Sequence, residues 1–401
     1  MKPVYIVSAK RTAIGKFLGT LSPFSPAELA VPVIKDILKE TAIDPAELDE
    51  VLVGNVLMAG QKQGVARQAA VWSGIPYSVP AYAINMICGS GMKSIINAFQ
   101  SIGSGEAHLI LAGGTEHMSN SGYVIPGNIM RKGQKMNHFN IIDHMVSDGL
   151  TDAFGDYHMG MTAENIAEKY NISREEQDAF SLRSQQRAIA AIDGGRFREE
   201  IVPVEIVSKK ETVSFDTDEF PNRTTSLEKL AQLKPAFKKD GTVTAGNASG
   251  LNDGASFVLL ASEEAVEKYH LTPLVEIIAT GQGGVDPAIM GMGPVPAIAS
   301  ALKKTPLKLS DMQLIELNEA FAAQSLGVMQ QLCADHGVSD EWLSEVTNVN
   351  GGAIALGHPI GASGNRIVVT LVHEMLRRGV SLGLAALCIG GGMGTAVIVR
   401  R

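Results

Sequence analysis

A cysteine in the first half of the chain lies where a thiol could act as a nucleophile. Cys88 stands in the run Asn85-Met86-Ile87-Cys88-Gly89-Ser90-Gly91, directly before a predicted helix over 92–102. Because a helix dipole favours negative charge at the N-terminus, we expect the pKa of Cys88 to be lowered. The glycines leave room for a substrate to reach the sulfur. The alternative is a structural thiol, since free cysteine often packs as a small hydrophobic residue.

A histidine in the second half could accept the proton of that thiol. His358 lies in Gly357-His358-Pro359, shortly before a predicted helix over 365–377. A histidine beside a thiol can act as its base, which makes the sulfur a stronger nucleophile. The alternative is a histidine that only satisfies carbonyl groups of the surrounding glycine-rich loop.

The two remaining cysteines differ in their surroundings. Cys388 ends a predicted strand and precedes Gly390-Gly391-Gly392, so it is interpreted either as an acid/base or as core filling. Cys333 lies in a predicted helix and is expected in the core. Three cysteines cannot form a disulfide framework, which favours a reducing, cytoplasmic location.

The predicted strands and helices around these residues occur in the same order in the two halves of the chain, and they alternate in each half. This pattern predicts an α/β fold of mostly parallel sheets with helical layers. Two similar halves imply a pseudo-twofold axis, which would bring the junctions of Cys88 and His358 face to face. The matching strands are predicted at 4–8 and 274–279, 51–55 and 314–318, 109–112 and 384–387, and 255–260 and 395–399.

A long insertion interrupts the first half between its last two strands. The domains are therefore predicted as 1–118 plus 250–270 for the N-terminal half, 119–249 for the insertion and 271–401 for the C-terminal half. Within the insertion we predict a helix over 161–170 and a second helix that begins with a capping box at Ser173 and ends at Gly194. Its length favours a substrate-covering domain over a surface excursion.

Composition and charge exclude several kinds of protein. The 401 residues carry a formal net charge of −8, which provides no overall attraction to nucleic acid or to an anionic membrane. Residues 379–399 carry no charge, but their glycines predict two buried strands joined by a turn rather than a membrane span. The motifs of a P-loop and of a zincin metal site are missing, so no metal is expected.

Five motifs together resemble the thiolase family, of the biosynthetic type, over the whole chain. The family implies two αβαβα halves with an inserted loop domain. It also implies reversible Claisen condensation of two acetyl-CoA molecules to acetoacetyl-CoA and CoA, a homo-oligomer, expected to be a tetramer, and no cofactor beyond the coenzyme A thioester that is the substrate. The motifs are Asn85 to Gly91, Gly246-Asn247-Ala248-Ser249-Gly250, Asn318-Glu319-Ala320-Phe321, the run around His358, and Cys388-Ile389-Gly390-Gly391-Gly392.

The resemblance also implies a role for each matching residue. Cys88 is the nucleophile that becomes acetylated, His358 activates it, and Cys388 is the acid/base for the second substrate. Asn318 holds a water in one oxyanion hole, where His358 is the other donor. The backbone N–H groups of Cys88 and Gly390 form the second oxyanion hole. Such donors fit a Claisen condensation, in which an enolate and a tetrahedral oxyanion form in turn.

Further positions resemble residues near pantetheine, the acyl group or the adenine. For Met159 and Met290, which belong to this set, the alternative is core packing. A degradative 3-ketoacyl-CoA thiolase for longer chains is the close alternative function. Cys388 argues against other condensing enzymes, and the complete catalytic set argues against a lipid-binding module without catalysis. The positions are His158, Met159, Ala245, Ser249 and Phe321, with Met290 limiting chain length and Arg223 contacting adenine.

Overall fold

A computed structural model describes residues 1–207 and 211–401. The strands are β1 Val4–Thr12, β2 Gly15–Lys16, β3 Glu50–Gly54, β4 Ala81–Ile84, β5 Leu109–His117, β6 Tyr123–Val124, β7 Ile142–Asp143, β8 Ile201–Val202, β9 Val204–Val207, β10 Thr212–Phe215, β11 Asn252–Ser262, β12 Val275–Gly284, β13 Leu314–Leu317, β14 Leu382–Ile389 and β15 Met393–Arg400.

The α-helices alternate with these strands in both halves. They are α1 Pro26–Thr41, α2 Val65–Trp72, α3 Ser90–Ser104, α4 Gly127–Lys132, α5 Met159–Tyr170, α6 Arg174–Asp193, α7 Leu227–Ala231, α8 Glu263–Lys268, α9 Pro294–Leu302, α10 Ala322–His336, α11 Asp340–Val346, α12 Ala353–Leu356 and α13 Ile360–Arg378. Short 3₁₀ turns lie at Pro45–Glu47, Pro287–Met292 and Leu309–Asp311, and a π-helical turn lies at Met145–Leu150.

The strand order repeats itself in the two halves. The first half runs β1-β11-β5-β3-β4 and the second runs β12-β15-β14-β13, and the two join where β1 pairs with β12. The sheet is mixed, so the expectation of mostly parallel pairing is wrong. In each half the last strand inserts antiparallel between the first strand and the penultimate strand. The duplicated α/β architecture is confirmed.

The two helices that follow the candidate catalytic residues pack against each other in the centre. Apolar side chains of α3 and α13 share one cluster with strands from both halves, while α1 and α2 cover the outer face of the first half. Glycines allow the close helix approach, because a Cβ on Gly364 would lie 2.6 Å from Met92 N and one on Gly91 would lie 2.9 Å from Asn365 N. This contact places the starts of both helices side by side.

The insertion runs from the end of β5 to the start of β11, and buried charged residues within it contact both halves. Arg11 of β1 pairs with Glu200 at 2.6 Å and with Asp218 at 2.7 Å, and all three side chains are at most 1% exposed. Glu200 also accepts a hydrogen bond from Thr370 of α13 at 3.0 Å. The capping box of Ser173 at the start of α6 is confirmed. The domain boundaries themselves stay a prediction.

The uncharged C-terminal segment forms a hairpin, as expected. β14 and β15 pair antiparallel around the glycine turn, with Cys388 opposite Gly394. Within residues 1–207 and 211–401, each helix is too short or too polar to span a bilayer.

Candidate active site

The backbone before α3 presents Cys88 on a strained turn. Ile87 has a φ of +48°, an unfavourable conformation for a β-branched residue. Its N–H donates to Asn85 Oδ1 at 3.1 Å, and its carbonyl accepts from Ser90 Oγ at 2.6 Å. The same hydroxyl accepts from Met86 N at 2.9 Å. Side chains on both sides of Cys88 therefore hold the turn in place.

The hydrogen bonds around His358 leave one ring nitrogen ready to accept a proton. Ser363 Oγ donates to Pro359 O at 2.9 Å, so it receives the hydrogen of His358 Nδ1 at 2.6 Å. This assigns the hydrogen of the neutral ring to Nδ1 and leaves a lone pair on Nε2. Nε2 is buried, and none of the described residues hydrogen-bonds to it. The backbone N–H of His358 donates to Asn252 Oδ1 at 2.9 Å.

The junctions of the two halves meet at a narrow cavity of about 90 Å³. The structure thus brings together most of the residues predicted from the sequence. The predicted residues that line this cavity are Cys88, His358, Gly390, His158, Met159, Ser249, Met290 and Phe321.

Burial keeps both members of the thiol–imidazole pair neutral. It raises the pKa of Cys88 to about 11, although N–H groups of Gly390 and of Cys88 itself act in the opposite direction. The expected lowering of this pKa is therefore wrong, since loss of solvation outweighs the helix start, even though part of Cys88 faces the cavity. Burial, and secondarily the charge of Arg366, lowers the pKa of His358 to about 3. Histidine is thus available as a base at neutral pH.

Two predicted residues, Cys388 and Asn318, are not among the residues that line the cavity. Cys388 is fully buried, and burial together with the negative charge of a Cys88 thiolate raises its pKa. Asn318 follows β13 and is 1% exposed. Its backbone N–H donates to Ala386 O at 3.1 Å, but none of the described residues hydrogen-bonds to its side-chain amide. A buried amide of this kind is suited to hold a water molecule.

Aromatic rings and thioethers form the apolar side of the cavity. His158 stacks on Phe237 with ring centroids 4.6 Å apart, and Phe237 meets Phe321 edge to face at 6.2 Å. His158 is also the N-cap of α5, where its Nδ1 accepts from Gly160 N at 3.0 Å. Met159 and Met290 are 8% and 3% exposed. These side chains make this part of the cavity lining apolar.

A larger cavity of about 660 Å³ lies on the other side of the loop 245–250. Ala245 lines it, as do the two cationic side chains Lys16 and Lys229. Arg223 is not among its lining residues. Its guanidinium is 56% exposed and pairs with Asp193 at 2.6 Å, so its predicted contact with adenine stays a prediction.

Several residues of the site carried no signal strong enough to be selected from the sequence. Gly149 and Leu150 of the π-helical turn line the narrow cavity, as does Phe237. Ser363 lies five residues after His358 and orients its ring. The one sequence signal for this contact is that both residues lie at the start of α13. Among the described residues no group of three or more His, Cys, Asp or Glu side chains could hold a metal ion.

A repeated α/β fold with a thiol and an imidazole at adjoining helix starts is the arrangement of an enzyme that forms a covalent intermediate on cysteine. A model of the thiolase N-terminal domain matches residues 4–264, and a model of the thiolase C-terminal domain matches residues 271–401. The chain belongs to the thiolase family and is an acyltransferase, which confirms the resemblance drawn from its motifs.

Individual relatives agree with this assignment. An acetyl-CoA acetyltransferase of Pseudomonas aeruginosa is 54% identical over 402 residues, which cover 100% of both chains. The crystal structure of the Bacillus anthracis acetyl-CoA acetyltransferase has a TM-score of 0.95 and 44% identity, covering 100% of this chain and 99% of that one. Human mitochondrial 3-ketoacyl-CoA thiolase in complex with CoA has a TM-score of 0.93 and 45% identity, covering 100% and 98%.

Proposed function

We propose that the chain is an acetyl-CoA acetyltransferase, which joins two acetyl-CoA molecules to acetoacetyl-CoA and CoA and also catalyses the reverse reaction. The observation that carries the proposal is the meeting of Cys88, His358 and Gly390 at one narrow cavity with Met159 and Met290 in its wall. A cavity of about 90 Å³ suits a short acyl group. The names of the relatives from Pseudomonas aeruginosa and Bacillus anthracis support the same activity.

The first half of the reaction transfers an acetyl group to Cys88. His358 Nε2 takes the thiol proton as Cys88 Sγ attacks the thioester carbonyl, so a sulfur–carbon bond forms to the enzyme. The bond to the CoA sulfur then breaks. Because burial raises its pKa, Cys388 is a thiol at rest and can supply the proton for the leaving CoA sulfur. The acetyl-enzyme then holds an imidazolium and a Cys388 thiolate.

The second half forms the new carbon–carbon bond. The Cys388 thiolate takes a proton from the methyl group of the second acetyl-CoA, and His358 with an Asn318-bound water stabilises the enolate oxygen. The enolate carbon attacks the acetyl-Cys88 carbonyl, whose oxyanion accepts from the N–H groups of Cys88 and Gly390. Cys88 then leaves and recovers its proton from His358. Loss of one such donor typically costs about 2.7–4 kcal/mol.

The larger cavity is proposed to hold the nucleotide end of CoA. A chain with a net charge of −8 needs local cations for a polyanion, and Lys16 and Lys229 supply them there. Because such contacts are exposed to solvent, Lys229→Ala should raise the KM for CoA by only about two- to fivefold. Arg223→Ala tests the adenine contact in the same assay. An unchanged KM in each variant would place the nucleotide elsewhere.

A degradative 3-ketoacyl-CoA thiolase is the second candidate, favoured by the likeness to the human mitochondrial enzyme. The two are separated by measuring kcat/KM for thiolysis of 3-ketoacyl-CoA substrates of increasing length. Each added methylene should meet side chain, and overpacking costs about 1–3 kcal/mol. We expect acetoacetyl-CoA to react about ten- to a hundredfold faster than 3-ketohexanoyl-CoA. Equal rates on four- and eight-carbon substrates would favour the degradative function.

Assembly, cofactor use and location are also proposed. The exposed large apolar side chains include Tyr82 of the edge strand β4, Trp72, Tyr77, and Tyr123 and Met136 of the insertion. Burial of such side chains between copies supports a homotetramer built as a dimer of dimers, which light scattering would test. The condensation needs no cofactor, since the CoA thioester is the substrate. Three free cysteines support a cytoplasmic location.

A further inference from the structure

The π-helical turn Met145–Leu150 forms one wall of the narrow cavity. Gly149 and Leu150 line that cavity opposite residues of both halves. The turn is tightly seated, because a Cβ added to Gly149 would lie 3.2 Å from Ile360 Cδ1 and 3.5 Å from Leu57 Cδ2. Single π turns are rare and are often found at functional sites. The position of this wall therefore decides how much space an acyl group has.

His144, directly before the turn, anchors it to a different part of the chain. The imidazole is 6% exposed, and its Nε2 accepts from Ala59 N at 3.3 Å. Its Nδ1 lies 2.8 Å from Asp148 Oδ2 within the turn. The ring thus joins the turn to the loop after β3 through Nε2, while the Asp148 carboxylate lies close to Nδ1, which makes no hydrogen bond to the described residues.

The loop that His144 holds lies beside the nucleophile. Val56 and Leu57, just before Ala59, belong to the apolar cluster in which Met145 and Ile360 are buried, and Cys88 packs against that cluster. The N–H groups of Val56 and Leu57 donate to Glu116 at 3.0 and 3.1 Å, which fixes the loop on the first half. The His144 contact therefore connects the loop beside the nucleophile to the π-helical turn that forms the cavity wall.

We propose that His144 is a positioning residue that sets the acyl chain length accepted by the narrow cavity. It does not line the cavity and acts through the turn, whose Leu150 side faces the acyl group. The proposal rests on the proposed thiolase activity and assigns this specificity to a residue outside the catalytic set. Loss of the anchor lets the wall move outward, which gives longer acyl chains room that they otherwise lack.

The test compares three variants in thiolysis of acetoacetyl-CoA and 3-ketohexanoyl-CoA. In His144→Ala the ratio of kcat/KM for the longer over the shorter substrate should rise about three- to tenfold, the range of one lost hydrogen bond. His144→Gln keeps an acceptor near the position of Nε2 and should restore most of the parent ratio. His138→Ala removes an exposed histidine of the same insertion and should leave the ratio unchanged.

Each outcome shows whether His144 sets the chain-length preference or has only a structural role. A His144→Ala protein with a lower Tm and the parent ratio would show that the residue is merely structural and would overturn the proposal. If that variant does not fold, Asp148→Ala takes its place, because Asp148 is 55% exposed, and should raise the ratio about two- to threefold. An unchanged ratio there would overturn the proposal as well. A parent protein that cleaves neither substrate contradicts the proposed function itself, which is a separate and recognisable result.

Discussion

The two helix starts that meet at the active site share a topology but prepare their functional side chains differently. At the first, a left-handed Ile87 and the Ser90 hydroxyl shape the backbone, and the thiol of Cys88 remains partly open to the cavity. At the second, His358 is 6% exposed, and Ser363 holds the ring through one nitrogen. The duplicated fold thus supplies two equivalent positions. Local hydrogen bonds decide which one becomes a nucleophile and which one a base.

Of the changes considered, removal of the base His358 should have the largest effect on the rate at which Cys88 is acetylated. In His358→Ala the neutral Cys88 thiol loses its proton acceptor, and acetylation should slow by about 10²- to 10⁴-fold. Rapid-quench measurement of acetyl-enzyme formation checks this. His270→Ala, an exposed histidine outside the cavity, is the control. Acetylation at the parent rate without His358 would mean that Cys88 is activated by another group.

Cys388→Ser separates the two halves of the reaction. Acetylation of Cys88 should persist at a reduced rate, because the CoA sulfur is a good leaving group that can depart as a thiolate. Condensation should slow by about 10²- to 10⁴-fold, because serine is a much weaker acid and base than the thiol and the methyl proton cannot leave without a base. Cys333→Ser, a half-buried thiol of α10, is the matched control. Exchange of the methyl protons of acetyl-CoA with solvent reports the enolate step directly. Normal condensation in Cys388→Ser would reduce Cys388 to a core residue.

Met290→Ala tests the apolar side of the cavity. The truncation opens the end wall, so the preference for acetoacetyl-CoA over 3-ketohexanoyl-CoA should narrow by about tenfold. Met292→Ala is a matched control, since Met292 is also 3% exposed but lies outside the cavity lining. Both variants should lose about 2–5 kcal/mol of stability. If Met292→Ala changed the preference equally, a general loosening would explain the effect.

The smallest effect is expected from mild acid. Because the pKa of His358 is lowered to about 3, protonation of the base begins only well below the ordinary histidine pKa of about 6.5. The acetylation rate between pH 7 and pH 5 should therefore show no inflection from this group, and the loss should appear as pH falls towards 3. The measurement is a pH profile of single-turnover acetylation. An inflection near pH 6.5 that disappears in His358→Ala would contradict the burial argument.

Much of the fold was predictable because each half repeats the same strong periodic pattern. The C-terminal hairpin followed from glycines within an uncharged apolar run, and the capping box of Ser173 identified the start of α6. Two other helix-start signals in the sequence, Asp44-Pro45-Ala46-Glu47 and Ser310-Asp311-Met312-Gln313, lead only to 3₁₀ turns over Pro45–Glu47 and Leu309–Asp311. A strand begins within a few residues of each turn, so too little chain remains there for a longer helix.

The identity of the site residues was easier to predict from the sequence than their pKa values and contacts. The motifs identified Cys88 and His358, but the direction of the Cys88 pKa depends on burial by distant segments, which a helix start alone does not reveal. The anchor at His144 likewise depends on Ala59, far away in sequence. Contacts between segments of low periodicity leave no local pattern, so only the tertiary structure shows them.

In the proposed reaction, Cys88 carries the acetyl group between the two substrates. Mixing the protein with acetyl-CoA, quenching in acid and mapping peptides by mass spectrometry tests it directly. We expect one acetyl group per chain, located on Cys88, in the parent and in Cys388→Ser, and none in Cys88→Ala. An acetyl group on Cys388 or Cys333, with Cys88 unmodified, would contradict it.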